Sequence, residues 1–495
     1  MKKINRYFYF TGLAIIAIIS GCNMNKPGKI TDIPVTTQSK EAEASIRQGM
    51  AYMDQGDGQK ARACFTKAID QDPKLGLAYI LRAGSDRSPK EFTGDVDKAK
   101  ANLEGASDWE KMYCDYFGTF MTMDWNKRLE IAQKIASMYP DAARAQVDLG
   151  FTYSGGNDQE KARACFNKAI ELDPKWTGGY GALTISYVFN DPKDFKKAEE
   201  NALKVVELAP ASSGAEIALG DCYRAQNDLA KARDAYSKAI QLDTTNSEPY
   251  YKKGHANTFL GNFDEARKDY MDGGRHDESK VSSIQFTAYT YLYAGDVKTA
   301  MTWLSDEAAK MNASGDDQGK TNNARLMCLQ DCANIAVMNN DAARVKELIA
   351  MIEPMTMQEA NDVGTQEAKL GQKATMLRWQ AYSAAMEGNL DAAAAKAEEM
   401  KSTVSPLTDP NKLDDYETTM GYIAMKQKKF PDAAGHFEKI KQPTVVVKYW
   451  LALADEGAGN KDKANSLFKE IADYNFNGLD YALVRNDVKK RMGSR

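Results

Sequence analysis

The sequence predicts an all-α solenoid, a stack of about twelve helix pairs repeated along the chain. Three observations predict it. One phrase recurs: KARACFTKAIDQDP at 60–73, KARACFNKAIELDP at 161–174 and KARDAYSKAIQLD at 231–243. The recurrence has a fixed period, since Arg128 and Ala162 are 34 residues apart and so, in succession, are Ala198, Ala232, Ala266 and Ala300. Self-similarity at such a period marks one supersecondary unit copied many times. Composition agrees, with 14 Pro in 495 residues, much Ala, Lys, Glu and Leu, and no alternating strand runs. A chain this long exceeds what one compact core holds. A solenoid escapes the limit because each repeat buries its apolar face on its neighbours.

Within the phrase, Ala162, Phe166 and Ala169 are spaced by four and three, which sets them on one face of a helix. Pro174 forbids that helix from continuing. Leu149, Gly150 and Tyr153 lie on the preceding helix, with Asn157-Asp158 marking the turn between. The pattern is large, small and aromatic on a first helix, then small, aromatic and small on a second, then Pro. At a 34-residue period it resembles the tetratricopeptide repeat. The resemblance implies a right-handed superhelix whose first helices line a concave groove, and a non-catalytic role in holding a protein or peptide partner.

Taken in order, the chain opens with Lys2, Lys3 and Arg6, then an apolar run from Tyr7 to Ile19, too short to span a bilayer as a helix. Ile19-Ser20-Gly21-Cys22 follows and resembles the bacterial lipobox, in which the chain is cut before the Cys and the thiol is lipidated. Residues 1–21 are thus expected to be a signal peptide, Cys22 the lipidation site, and 22–40 a flexible tether, with two Pro and no helical period. Removing the signal takes the charge balance from 65 − 69 = −4 to 62 − 69 = −7. No basic tract is left to neutralise phosphates, so nucleic acid is not expected as a partner.

The second helices are expected to be anchored by Ala61, Ala99, Arg128, Ala162, Ala198, Ala232, Ala266, Ala300, Val345, Ala393, Ala433 and Ala464. Most are preceded by a turn signal: Gly-Asp or Gly-Asn at 56, 94, 261, 295, 388 and 459, and Asn-Asp at 157, 227 and 340. Gly or Asn takes the left-handed conformation that ends one helix, and Asp or Asn caps the next. The Ala433 unit has Lys428-Lys429 instead. RSPKEFTG at 87–94 reads as an insertion. The regular array is expected over 41–314, a loop and boundary at 315–323, and a degenerate array over 324–495. The latter is interrupted at 405–412 and closed by an amphipathic capping helix at 479–492.

Candidate chemistry is sparse. Cys64 and Cys165 hold the same place in repeats too far apart to bridge, and read as small buried hydrophobes. Cys328 and Cys332 are one turn apart without the partners that zinc needs. GDDQGKT at 315–321 resembles a phosphate-binding loop but lacks the first Gly and the preceding strand. His255, His276 and His436 have no companion at a catalytic or ligating spacing. No enzyme, metal or cofactor is expected.

The resemblance places the partner-binding groove on the first helices. Its positions here hold Tyr113, Phe117 and Phe120; Arg144, Val147 and Phe151; Tyr180, Leu183 and Tyr187; Asp221 and Arg224; Tyr251 and His255; and Gln285 and Tyr289. Aromatic side chains in such numbers suit a peptide or protein segment. The Lys and Asn that some family members use to clamp a terminal carboxylate are not at these positions. The expected whole is a membrane-anchored scaffold for envelope assembly, in the bacterial cell envelope and at the outer membrane facing the periplasm. Asn23 lacks the acidic retention signal, and MNKPGK has no acidic residue after the Cys. The alternative is an outer-membrane lipoprotein that captures a glycan or peptide nutrient for uptake.

Overall fold

The computed structural model describes residues 30–54, 57–85, 88–277, 279–313 and 318–493. The expected signal peptide, Cys22 and the first part of the tether lie outside these residues. All regular structure among the described residues is helical, and the fold is an α-solenoid. The chain divides into two compact units, 2–252 and 253–495. The N-terminal unit holds α1 (Lys40–Asp54), α2 (Gly58–Gln71), α3 (Gly76–Ala83), α4 (Pro89–Ala101), α5 (Asp108–Thr122), α6 (Trp125–Met138), α7 (Ala143–Gly155), α8 (Gln159–Leu172), α9 (Thr177–Phe189), α10 (Phe195–Leu208), α11 (Ser213–Ala225) and α12 (Leu229–Leu242). The division falls within α13 (Glu248–Leu260). The C-terminal unit continues with α14 (Phe263–Gly274), α15 (Val281–Tyr293), α16 (Val297–Ala313), α17 (Gln318–Met338), α18 (Ala342–Val363), α19 (Gln366–Met386), α20 (Leu390–Val404), α21 (Asp414–Lys426), α22 (Phe430–Phe437), α23 (Val445–Gly457), α24 (Lys461–Ala472) and α25 (Leu479–Arg491). Taken two by two these are twelve pairs and a terminal helix.

The repeat unit is a lock between glycine and aromatic ring. A Cβ placed on Gly150 of α7 would stand 2.4 Å from the Phe166 ring of α8. Gly49 and Phe65, Gly220 and Tyr236, Gly254 and Tyr270, and Gly421 and Phe437 repeat that contact at the same 2.4 Å. The ring seats directly on the facing backbone, so two helices approach as closely as their main chains allow. All twelve anchors are buried. Eleven are Ala or Val. The exception, Arg128, donates to the Thr119 hydroxyl at 2.9 Å and the Thr119 carbonyl at 3.0 Å, with its guanidinium 3.7 Å from the Phe120 ring. Those bonds and that ring make burial of the charge tolerable.

Turns follow the expected chemistry where the pattern is strong. Asn157, Asn227, Asn340, Gly261, Gly295, Gly388 and Gly459 all take positive φ. Asp57, Asp124, Asp158, Asp194, Asp228 and Asp341 cap the second helices by accepting from the backbone N–H three residues on. Lys428 also adopts φ 59°, so the unit without the signal makes the same turn with a lysine.

Three expectations are corrected. The described part of the stretch 87–94, residues 88–94, is no insertion, because Ser88 caps α4 and Gly94 lies inside it. The Phe92 N–H bonds the Ser88 carbonyl as the Ala162 N–H bonds that of Asp158, so Phe92 holds the anchor place and Ala99 the second small one. Residues 318–323 belong to α17, and the division into units falls after Lys252 rather than at 315–323. Finally, residues 30–39 are docked, with Ile33 only 1% exposed.

The lock predicts a contrast between two glycines. Gly150→Ala forces a methyl into a ring and should cost about 1–3 kcal/mol. Gly94→Ala, with nothing within 4 Å of its Cβ, should gain about 0.5–1 kcal/mol from helix propensity. Urea denaturation of the two variants checks the opposite signs.

Candidate functional site

The predicted groove residues of the N-terminal unit fall into two groups. The first is aromatic and half-buried. Phe117 packs 5.3 Å from Tyr113 and 6.0 Å from Phe120 on α5, and 6.4 Å from Phe92 of α4. Phe151 lies 5.1 Å from Phe166, and Tyr187 lies under the Arg163 guanidinium at 4.4 Å. Tyr180 donates to the Pro174 carbonyl at 3.3 Å, as Tyr79 does to Pro73 and Tyr250 to Thr244, so its hydroxyl serves the interhelix turn. Each side chain has part of its surface taken by packing and part left open. Val147 and Leu183 are buried core.

The second group centres on Arg144 in the first turn of α7. Its Nε donates to Asp32 at 2.7 Å, and its two terminal nitrogens donate to Asp54, at the end of α1, at 3.1 and 2.8 Å. Trp176 lies against the guanidinium at 5.2 Å and donates its indole N–H to Asp54 at 3.4 Å. The Arg144 side chain is 12% exposed. Burial pushes the Asp54 carboxyl up to about 8 and Asp148 up to about 7, with Arg144 pulling both the other way. Burial also pushes the Tyr113 hydroxyl well above its ordinary value, with Asp148 adding to the effect. Asp32 and Asp54 therefore share one guanidinium on this wall, with Asp148 within its field.

Asp32 belongs to a docked extended segment. Arg47 of α1 donates to the Ile33 carbonyl at 2.9 Å. The Thr36 N–H donates to Glu110 of α5 at 2.9 Å, and its hydroxyl donates to the same carboxylate. Thr37 donates to Asp72, the C-cap of α2, at 2.5 Å. Ser39 then caps α1 by accepting from the Ala42 N–H at 3.1 Å. Sequence reading missed Asp32, Ile33, Arg47, Asp54, Asp72 and Glu110 as wall residues. Residues 30–39 form neither helix nor strand and carry no period to find, and only Pro34, which biases Ile33 toward extended backbone, gave a hint.

The remaining predicted residues are buried rather than open. Arg224 contacts Asp221 at 3.0 Å, and Asp221 also accepts from Tyr236 at 2.6 Å and Lys252 at 2.8 Å. Burial works to raise Asp221, but Lys252 and Arg224 hold its carboxyl below the ordinary range. In the C-terminal unit His255 meets Tyr270 at 3.0 Å, and Asn477 donates to the His255 Nδ1 at 2.9 Å. The Tyr293 hydroxyl donates to Asn477 at 2.9 Å, and Asn486 of α25 donates to the Leu292 and Tyr293 carbonyls at 3.1 and 3.2 Å. Gln285 and Tyr289 both donate to Asp331 of α17, at 2.8 and 2.7 Å. Tyr251 is buried as well. Within the C-terminal unit, α17 covers Gln285 and Tyr289, and the returning C-terminal segment covers His255.

Cys64 and Cys165 are half-buried, and Cys114, Cys222, Cys328 and Cys332 are buried; all six are free thiols. Burial pushes Cys114 and Cys332 up to about 11, which leaves them unreactive at neutral pH. Among the described residues no cluster of three or more His, Cys, Asp or Glu is placed to hold a metal, and no helix is long and apolar enough to cross a membrane.

Family models match within this framework. A tetratricopeptide repeat is matched at 42–75, again at 143–175 and 247–273, and a TPR repeat at 220–258. The chain is a tetratricopeptide repeat protein. The matched ranges contain the Gly49, Gly150, Gly220 and Gly254 locks. Among curated relatives, the repeat protein is similar to human mitochondrial import receptor subunit TOM70, 24% identical over 50% of this chain and 37% of the relative. It is also similar to human Superkiller complex protein 3, 29% identical over 25% of this chain and 8% of the relative. Anaphase-promoting complex subunit 3 of Schizosaccharomyces pombe is 24% identical over 44% of this chain and 33% of its own length. The repeat protein thus spans 37% or less of these relatives. Among solved structures, yeast Tom70 covers 88% of this chain and 92% of its own at 17% identity, with a TM-score of 0.43.

Removing the central cation tests the wall's electrostatics. Arg144→Met leaves Asp54 and Asp148 buried without their counter-charge and should cost about 3–5 kcal/mol. Both carboxyls already sit above their unfolded value of 3.8 and rise further in the variant. The folded state then holds protons that the unfolded state releases, so stability falls as pH climbs from about 4 through 8. Chemical denaturation at pH 5 and pH 8 should show the larger loss at pH 8.

Proposed function

We propose that this repeat protein is a non-catalytic scaffold, lipid-anchored in the bacterial cell envelope, that holds a partner polypeptide on the wall made by its first helices. The observation that carries the reading is the docked segment. An extended polypeptide, here residues 30–39, lies on α1, α2, α5 and α7 through both main-chain and side-chain hydrogen bonds. The half-buried stretch of Phe117, Phe120, Phe151 and Tyr187 offers apolar area at low entropy cost beside polar groups, a composition suited to polypeptide capture. A receptor subunit and members of protein complexes stand among the relatives, beside one protein O-mannosyl-transferase, and the former support a reading of assembly work.

Lipid attachment at Cys22 rests on the basic, apolar and Ile-Ser-Gly-Cys segments falling in register. More than one acyl chain makes such anchoring stable, and Asn23 together with a non-acidic MNKPGK favours the periplasmic face of the outer membrane. Envelope assembly is the corresponding task.

Crosslinking in the native cell, followed by mass spectrometry, tests the wall. A Phe117→Ala, Phe151→Ala, Tyr187→Ala chain should lose about tenfold or more of partner recovery, as expected when aromatic anchors are truncated. Full retention of every partner would remove the wall from consideration. Cys22→Ser should move the chain from the membrane to the soluble fraction, and unchanged membrane recovery would end the lipid reading.

A further inference from the structure

We propose that the Arg144 centre is a recognition site for an extended segment of the form Asp-Ile-Pro, filled in the free chain by residues 32–34 and opened when a partner segment of the same chemistry replaces them. The inference rests on reading the wall as a polypeptide-binding surface, and it adds the sequence that surface selects.

The contacts divide as ligand contacts do. Two come from the segment's main chain, the Ile33 carbonyl with Arg47 and the Thr36 N–H with Glu110, and any residue could supply them. Four specify sequence: the Asp32 carboxylate on Arg144, the Ile33 side chain, 1% exposed, and the Thr36 and Thr37 hydroxyls, which donate to Glu110 and Asp72. Pro34 holds the stretch extended in advance, which lowers the entropy cost of docking.

The receiving groups have partners of their own. Arg144 is held by Asp54, and Asp54 by Trp176. Glu110 completes the capping box of α5 by accepting from the Ser107 N–H at 2.7 Å. Asp72 accepts from the Lys74 N–H at 3.1 Å. The site is therefore built from helices that their own repeats position, and the segment can leave without taking the site apart. Its hold is also limited. Asp32 reaches only the Nε of a guanidinium whose two terminal nitrogens are already taken by Asp54. A resident held this way competes chiefly through effective concentration, which is of millimolar order for a short connection.

The test uses a fluorescein-labelled peptide of residues 31–39, titrated by anisotropy against the full chain and against Ile33→Asp, which weakens the resident. Ile33→Asp should bind the peptide about tenfold or more tightly than the unaltered chain, because the intramolecular competitor is gone. Peptides carrying Asp32→Lys or Ile33→Asp, which leave the protein untouched, should lose about tenfold or more. Hydrogen exchange should show release of the Thr36 amide in Ile33→Asp while α1, α5 and α7 stay protected. Equal affinity for the two chains, indifference to the peptide changes, or no binding up to about 1 mM would overturn the proposal. So would cooperative melting of the N-terminal unit in Ile33→Asp, which would make the segment a piece of the core. A dimer that dissociates on Ile33→Asp would assign the occupant to a second copy and overturn it likewise. If the aromatic variants above still lose partners while the peptide fails, only this inference falls.

Discussion

The fold depends on one contact: an aromatic ring of a second helix resting on the bare backbone of a first-helix glycine. At Gly150 and Phe166, and at four further pairs, any side chain on the glycine would overlap the ring. The ring fixes both the distance between the helices and their register along one another. Everything else in the repeat follows from that register. The anchor four residues past the cap, such as Ala162 past Asp158, is small in most pairs and is buried against the close-standing first helix. Where an arginine takes that place, at Arg128, the pair must supply a hydroxyl, a carbonyl and a ring to receive it.

That dependence explains what could be read from the sequence. Ala, Phe and Ala at four and three, a glycine on the preceding helix and an Asp cap are local, periodic and nearly free of alternatives, so anchors and caps were legible over most of the chain. Legibility failed where the unit departs from its own pattern. In the second pair the eight-residue α3 shifts the register, and a true helix start at Ser88-Pro89 passes for an insertion because Gly94-Asp95 imitates a turn signal. In the C-terminal unit α17, α18 and α19 run to 21 or 22 residues, past a proline in one case. Tertiary packing along those longer helices outweighs the local stop signal.

The site was legible only by half. Of the residues that position within the repeat assigned to the groove, Phe117, Phe151 and Tyr187 are half-buried, because helix geometry decides which face a residue occupies. It placed Arg224, Tyr251, His255 and Tyr289 on the same wall. It had no means to tell that Lys252, Asn477 or Asp331 would cover or pair them, since those partners lie on other elements whose approach no period encodes. The Arg144 centre was missed for the same reason. Asp32, Asp54, Arg144 and Trp176 are ordinary surface choices one by one, and become a site only once four separate elements converge.

A stacked array leaves its wall without an internal partner, because each pair spends its second helix on its own first helix and on its neighbours. In each unit here a terminal part of the described residues lies on that wall. In the N-terminal unit it is an extended strip fixed by Asp32, Ile33 and Thr36. In the C-terminal unit it is the 473–491 stretch, with Asn477 between His255 and Tyr293 and the Tyr481 ring 5.9 Å from Phe259. The two ends are held differently. The C-terminal one buries a whole helix face, including Tyr481 and Val484, and so belongs to the core. The N-terminal one buries a single large side chain and otherwise spends hydrogen bonds that water can replace. By the usual worth of such bonds, about 0.5–1.5 kcal/mol each, its hold is that of a ligand rather than of a structural element. The wall of the N-terminal unit is thus the place where this repeat protein can exchange one polypeptide for another.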